Sequence, residues 1–346
     1  MRKFILYLVL ICCIAVPVSA TEFNAPTAPE SAQKYMPSDT ESFSDGLLYI
    51  VKSAVTALKP SLADASGVCF SLIAVVLLMR VLTNLSGSAA NTIRLTGAVV
   101  IGLMLLEPLN SMIHLGTDTV GEMSEYGKLL LPVMTAAMAA QGGVTSSAAI
   151  YTATVVFNSV LTSVISRVVV PALYVYLCIC IASCGVKQEM LDKIRNLIKR
   201  SIIWCLKAIL YVFAGYMSIT SVISGTVDTS TLKATKIAIS SAIPVIGKVL
   251  SDSSETILLS AGIMKNAAGA YGTLAIIALF IGPFIEIGVP YLLLKLTGSV
   301  CNLFGTKETV SLIDNFSTGM GIILAMIGTV CVLLLISLVC FMKGLS

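Results

Sequence analysis

Hydrophobic positions along this chain come in long blocks, not in the short alternations of half-buried strands. Apolar runs occupy roughly 67–84, 95–113, 129–141, 148–166, 168–186, 201–223, 273–296 and 317–342. A membrane-crossing helix needs about 20 apolar residues. Irregular backbone cannot face lipid, because its N–H and C=O groups would go unpaired. The blocks therefore predict an all-α, polytopic helical membrane protein with seven or eight transmembrane helices. The run at 129–141 is short and alanine-rich, and it decides between the two counts. Arg167 and Pro171 divide the long stretch from Ala148 to Val186, which predicts two helices joined by a tight turn.

The first residues have a different pattern. Arg2 and Lys3 precede a short apolar run from Phe4 to Val16, and Val18-Ser19-Ala20 places small residues at a cleavage position. This is the three-part layout of a signal peptide, residues 1–20. Export would put the N-terminus of the remaining chain outside the cytoplasm. Residues 21–64 are the one long polar stretch, an extracytoplasmic tail. Up to about Asp39 it reads as extended and poorly ordered. From Phe43, the residues Leu47, Leu48, Val51, Val55 and Leu58 recur at helical spacing and predict an amphipathic helix ending at Pro60.

Residues 65–223 would then hold the first six spans. Lys187, Lys193, Arg195, Lys199 and Arg200 cluster in the loop at 187–200. Basic loops stay in the cytoplasm, and counting five spans from an external start puts this loop on the same side. The count also puts Asp118, Glu122 and Glu125 in an outside loop. It puts 224–272 outside as well, despite Lys233, Lys236, Lys248 and Lys265.

The segment 224–272 is semi-polar. Ile239, Ala242, Ile243, Ile246, Val249 and Leu250 form one apolar face, while Pro244 and Gly247 predict a bend. Ser251-Asp252-Ser253-Ser254-Glu255 reads as a capped helix start, with Glu255 in the first turn. Two amphipathic helices joined in this way can pack as an extracytoplasmic hairpin, lie in the interface, re-enter the membrane or line a water-filled cavity. Residues 273–346 carry the C-terminal spans.

Composition narrows the function classes. The 346 residues are 57% apolar and only 12% charged, with mean hydropathy +0.96. Charged residues cover soluble surfaces, so a soluble two-domain enzyme, a disordered chain and a nucleic-acid binder are excluded. The net charge of +4 falls to +2 without Arg2 and Lys3, too little to argue for an anionic partner. Ten cysteines lie almost all in apolar runs, with one histidine and no CxxC pair. They read as small hydrophobes and not as metal ligands. No HExxH or GxSxG motif is present. The reading is of a protein that is not an enzyme, with no catalytic residue and no cofactor.

Ionisable groups inside spans are costly and are functional candidates by default. Glu286 is the one that stands near the middle of its run, with Gly282-Pro283 before it and Gly288 and Pro290 after it. Proline interruptions around an acidic group resemble the broken helices that line transporter sites. Glu286, Pro283 and Pro290 are therefore the candidate structural or transport residues. Glu286 is expected to face a protein interior or polar path; the alternative is a structural pair with Lys207 or Arg167.

Ile243-Pro244-Val245-Ile246-Gly247, followed by Ser251-Asp252, Glu255-Thr256-Ile257, Ser260 and Lys265-Asn266, resembles the signature region of the stage III sporulation protein AE family of endospore-forming bacteria. Pro244, Gly247, Asp252, Glu255, Lys265 and Asn266 are thus the family-motif residues. The resemblance implies a multi-pass component of a secretion-like channel, or feeding tube, between mother cell and forespore. It implies a place in the mother-cell membrane facing the forespore. It implies partners among other stage III sporulation membrane proteins, including ring-forming proteins and a cytoplasmic secretion-type ATPase, as well as the lipid bilayer. The other reading is a stand-alone secondary transporter or permease for a small solute. That class often carries matching broken helices in both halves, and only a weak counterpart to Gly282–Pro290 exists, at Arg167–Pro171.

Overall fold

The structure is a computed structural model. It describes residues 26–37, 42–85, 89–185, 189–242 and 246–343, with backbone alone at 91, 184–185, 189, 221–242 and 246–260. The signal peptide expected at residues 1–20 lies outside the described residues.

Every regular element among the described residues is helical. A short helix α1 (Glu30–Gln33) precedes α2 (Phe43–Leu85), α3 (Ala90–Ala140) and α4 (Val144–Val164). A π-helical turn, Ile165–Val169, joins α4 to α5 (Val170–Gly185). Then come α6 (Glu189–Ala242), α7 (Ile246–Cys301) and α8 (Lys307–Lys343). Among the described residues, six helical rods are long and apolar enough to cross a membrane: Phe43–Leu85, Thr92–Ala140, Val144–Ser183, Met190–Thr220, Ala261–Cys301 and Lys307–Lys343. The protein is an all-α polytopic membrane protein.

Two mergers reduce the expected eight runs to six rods. The stretch 114–128, expected as an outside loop, is the middle of α3, whose 51 residues extend about 77 Å at 1.5 Å per residue. Asp118 and Glu125 are exposed on it, while Glu122 and Ser124 find hydrogen-bond partners. The Ser31 hydroxyl donates to the Glu122 carboxylate, and the Asn158 amide donates to the Ser124 hydroxyl at 2.9 Å. The turn expected at Arg167 and Pro171 is absent too. Pro171 has no N–H to give to the helical ladder, and the wider π-helical turn just before it absorbs the mismatch, as such bulges do. Arg167 is exposed on that turn.

Other expectations also change. α2 does not end at Pro60 but continues to Leu85, so no boundary separates residues 64 and 65. The helix start read at Ser251–Glu255 lies inside the uninterrupted α7. Gly247, Asp252 and Glu255 sit on its first turns, while Pro244 falls between α6 and α7, outside the described residues. The segment 224–272 is thus the end of α6 and the start of α7.

α8 is the hub. It packs against α3, α4, α5, α6 and α7. Of its most apolar stretch 61% is buried, against 22–39% in the other five rods. Phe316, Ile323, Ile327, Val330 and Phe341 are fully enclosed. Small residues on α3 let α8 come close. Gly116 faces Ile323, and a Cβ at Gly127 would stand 2.9 Å from Leu334 Cδ2. Polar contacts fix the register: the hydroxyls of Thr154 and Ser337 lie 2.8 Å apart in a hydrogen bond. The outer faces of α2 and α6 present Phe70, Leu78, Leu85, Trp204, Tyr211 and Ile219, an apolar surface suited to lipid and not to water.

Candidate functional site

Residues 26–37, part of the tail that reads as poorly ordered up to about Asp39, are docked in the body of the protein. Ala28, Ala32 and Tyr35 are buried. The Ala28 N–H donates to the Tyr271 hydroxyl at 3.4 Å, and Gln33 Nε2 donates to the Ala28 carbonyl at 3.1 Å. Tyr35 lies against Gly282 of α7. Positions 271 and 282 are eleven residues apart, so the segment runs about 16 Å along α7. Gly46 at the start of α2 rests on Leu274. Residues 26–37 therefore form a dipping strap whose lowest point is Tyr35.

Beneath Tyr35 is a chamber of about 780 Å³ between α2, α3, α7 and α8. Its walls include Lys34, Asp64 and Glu286 as charged groups, Ser53, Thr56 and Ser61 as hydroxyls, and Leu105, Met112, Leu294 and Met320 as apolar surface. Three prolines line it as well: Pro60 from α2, Pro108 from α3 and Pro290 from α7. A helical proline withholds an N–H from the carbonyl four residues earlier. The carbonyls of Thr56, Met104 and Glu286 thus lose their helical partners around one chamber.

Glu286 is exposed by residue area and lines this chamber. Among the described residues it forms no ion pair, and neither Lys207 nor Arg167 pairs with it. The basic group that shares its chamber is Lys34. The Glu286 carboxylate also acts on Tyr35. Burial pushes the phenol's pKa up, and the nearby carboxylate pushes in the same direction. Pro283 and Pro290 do not break α7, which runs on through both. The expected pair of interrupted half-helices is instead one continuous helix carrying freed carbonyls. Of the motif residues, Lys265 is buried and Asn266 exposed, one α7 turn or more from the strap and not in the chamber wall.

Sequence reading missed Tyr35, Lys34, Asp64 and Pro108. Pro60 and Pro108 were visible as prolines in apolar context. Tyr35 carried no local signal, because its meaning lies in Gly282, 247 positions away.

Among the described residues, six membrane-length rods packed about the buried hub helix α8, with a chamber carrying charged groups beneath the strap, define a polytopic helical membrane protein. The pattern of the stage III sporulation protein AE family matches residues 33–344, and the chain belongs to that family. It is 23% identical over 244 residues to stage III sporulation protein AE of Bacillus subtilis (strain 168), covering 70% of this chain and 61% of that protein. The match thus spans less than two thirds of the relative's length. No solved structure matches.

Proposed function

We propose that this protein is the multi-pass membrane component of a secretion-like channel or feeding-tube complex between mother cell and forespore, required for spore development. The observation that carries the proposal is the family match over residues 33–344, which includes all six rods. On this reading the chain resides in the mother-cell membrane facing the forespore, with its processed N-terminus outside the cytoplasm. It works without chemistry of its own, alongside ring-forming stage III sporulation membrane proteins and a cytoplasmic secretion-type ATPase. The basic cluster expected in a loop at 187–200 lies from 189 onward in the first turns of α6, and six spans from an external start leave it at the cytoplasmic end, after the third rod, as the positive-inside rule favours.

The test is deletion of the gene in its endospore-forming host, together with capture of a tagged chain from sporulating cells. Expected are a block after engulfment, loss of late forespore gene expression, and recovery of the ring-forming and ATPase partners. Normal spore yield, or capture without those partners, defeats the reading. Orientation is checked on a cysteine-free background: a membrane-impermeant thiol reagent should leave Lys193→Cys unmodified in intact cells.

The second reading, a stand-alone transporter or permease for a small solute, is favoured by the chamber at Glu286. An active chain that needs no partner would support it.

A further inference from the structure

The geometry points to the chamber under Tyr35 as a binding site for a small organic cation, an ammonium carried on an apolar body. The inference does not depend on the channel reading, which concerns partners; it concerns what this chain itself can hold.

Size comes first. About 780 Å³ lies within the range of small-molecule sites, roughly 300–1,000 Å³, and far exceeds what a bare metal ion fills. The wall is mostly apolar, with Leu105, Met112 and Met320 on it, as such sites are.

Charge comes second. Asp64 and Glu286 contribute two carboxylates, and Lys34 contributes one ammonium, so the chamber carries one negative charge in excess. Pro60 and Pro290 add backbone acceptors by freeing the carbonyls of Thr56 and Glu286. The wall is richer in acceptors than in donors, which selects for a cationic donor.

Tyr35 supplies the third observation. It is only 5% exposed, it lines the chamber, and its hydroxyl has no hydrogen bond among the described residues. The phenol hydroxyl can both donate and accept, so it is available to a solute bound in the chamber. Its ring is also a platform for a cation. The chain's own Lys34 Nζ stands 5.7 Å from the ring centroid and marks where an ammonium can sit.

The experiment uses the full chain in lipid nanodiscs, with 2-phenylethylammonium as probe and 3-phenylpropionate and 2-phenylethanol as the anionic and neutral analogues, read by calorimetry and saturation-transfer NMR. Saturable binding of the ammonium is expected, with neither analogue competing. Glu286→Gln and Asp64→Asn should each weaken it about tenfold, as loss of one partly desolvated charge interaction does. Lys34→Met should tighten it severalfold by removing the competing cation. Asp64 and Glu286 stand on different helices, so one variant still reads the charge effect if the other does not fold. Absence of saturable binding, equal binding of the alcohol or carboxylate, or unchanged affinity in both acid variants overturns the assignment. None of these results bears on the deletion and capture tests above.

Discussion

The ring of Tyr35 rests on the backbone of Gly282, so closely that a Cβ there would stand 2.8 Å from Cε2 and 3.3 Å from Cζ. This contact holds the lowest point of the strap against α7, at the residue just before Pro283. Gly282→Ala should push the ring away at a cost of about 1–3 kcal/mol, the usual range for overpacking. Limited proteolysis should then cut residues 26–37 at least several times faster, while the helical circular dichroism stays unchanged. Equal cleavage rates would show that the strap does not depend on this contact.

The strap should also respond to alkali. Tyr35 lies outside the spans, and its phenol is held above the ordinary value by burial and by the Glu286 carboxylate. A pKa raised on folding means that the neutral form supports docking. That support is complete below about pH 10, the unfolded value, and is lost as pH rises through the higher folded one. Protease sensitivity of the strap should therefore increase above about pH 10 in the native chain. Tyr35→Phe should flatten that part of the profile.

Inside the bundle, the Asn158 amide donates to Ser124 at 2.9 Å, with both residues buried. Asn158→Ala should destabilise the α3–α4 pair by about 0.5–2 kcal/mol, the range for interhelical hydrogen bonds in membranes. A cycle with Ser124→Ala, followed by unfolding in mixed detergent, should return a coupling energy close to the single-site loss. Strict additivity would mean that the bond contributes nothing.

Gly116 on α3 meets Ile323 on the hub helix with no room for a side chain. Gly116→Val should cost more than any surface change, about 3 kcal/mol or more, because both the backbone approach and the Ile323 rotamer must give. Ile323→Ala placed beside Gly116→Val should restore part of the lost thermal stability. Failure of that rescue would locate the damage elsewhere.

Lys295 and Asp314 form an ion pair at 2.5 Å between α7 and α8, but their side chains are 40% and 55% exposed. Short distance is not strength at such a surface. Asp314→Asn should change stability by less than about 1 kcal/mol, and raising the salt should produce no larger effect.

Much of this architecture is set by periodicity alone. The runs 67–84, 201–223, 273–296 and 317–342 each fall within one observed helix, because hydropathy over about 20 residues reports directly on what lipid accepts. Glu286 was also visible as an acid between two prolines. Helix ends were much less legible. Pro60, Pro283 and Pro290 each look like a stop, yet α2 and α7 run on through them, and Pro171 is accommodated in the first turn of α5 behind the π-helical turn. Packing along the rest of a long helix outweighs one missing hydrogen bond, and the single-residue penalty does not contain that sum.

The sequence by itself determined the helical class, the membrane setting and the family motif, all of which depend on local composition and order. Only the tertiary structure decided that Asp118, Glu122 and Glu125 belong to a continuous helix. Only it decided that the polar tail docks on α7, and that Tyr35, Lys34, Asp64 and Glu286 share one chamber. Those relationships join residues up to about 250 positions apart through contacts between helices. A hydropathy pattern records how each residue meets its solvent, and it carries no term for which distant residue it meets instead.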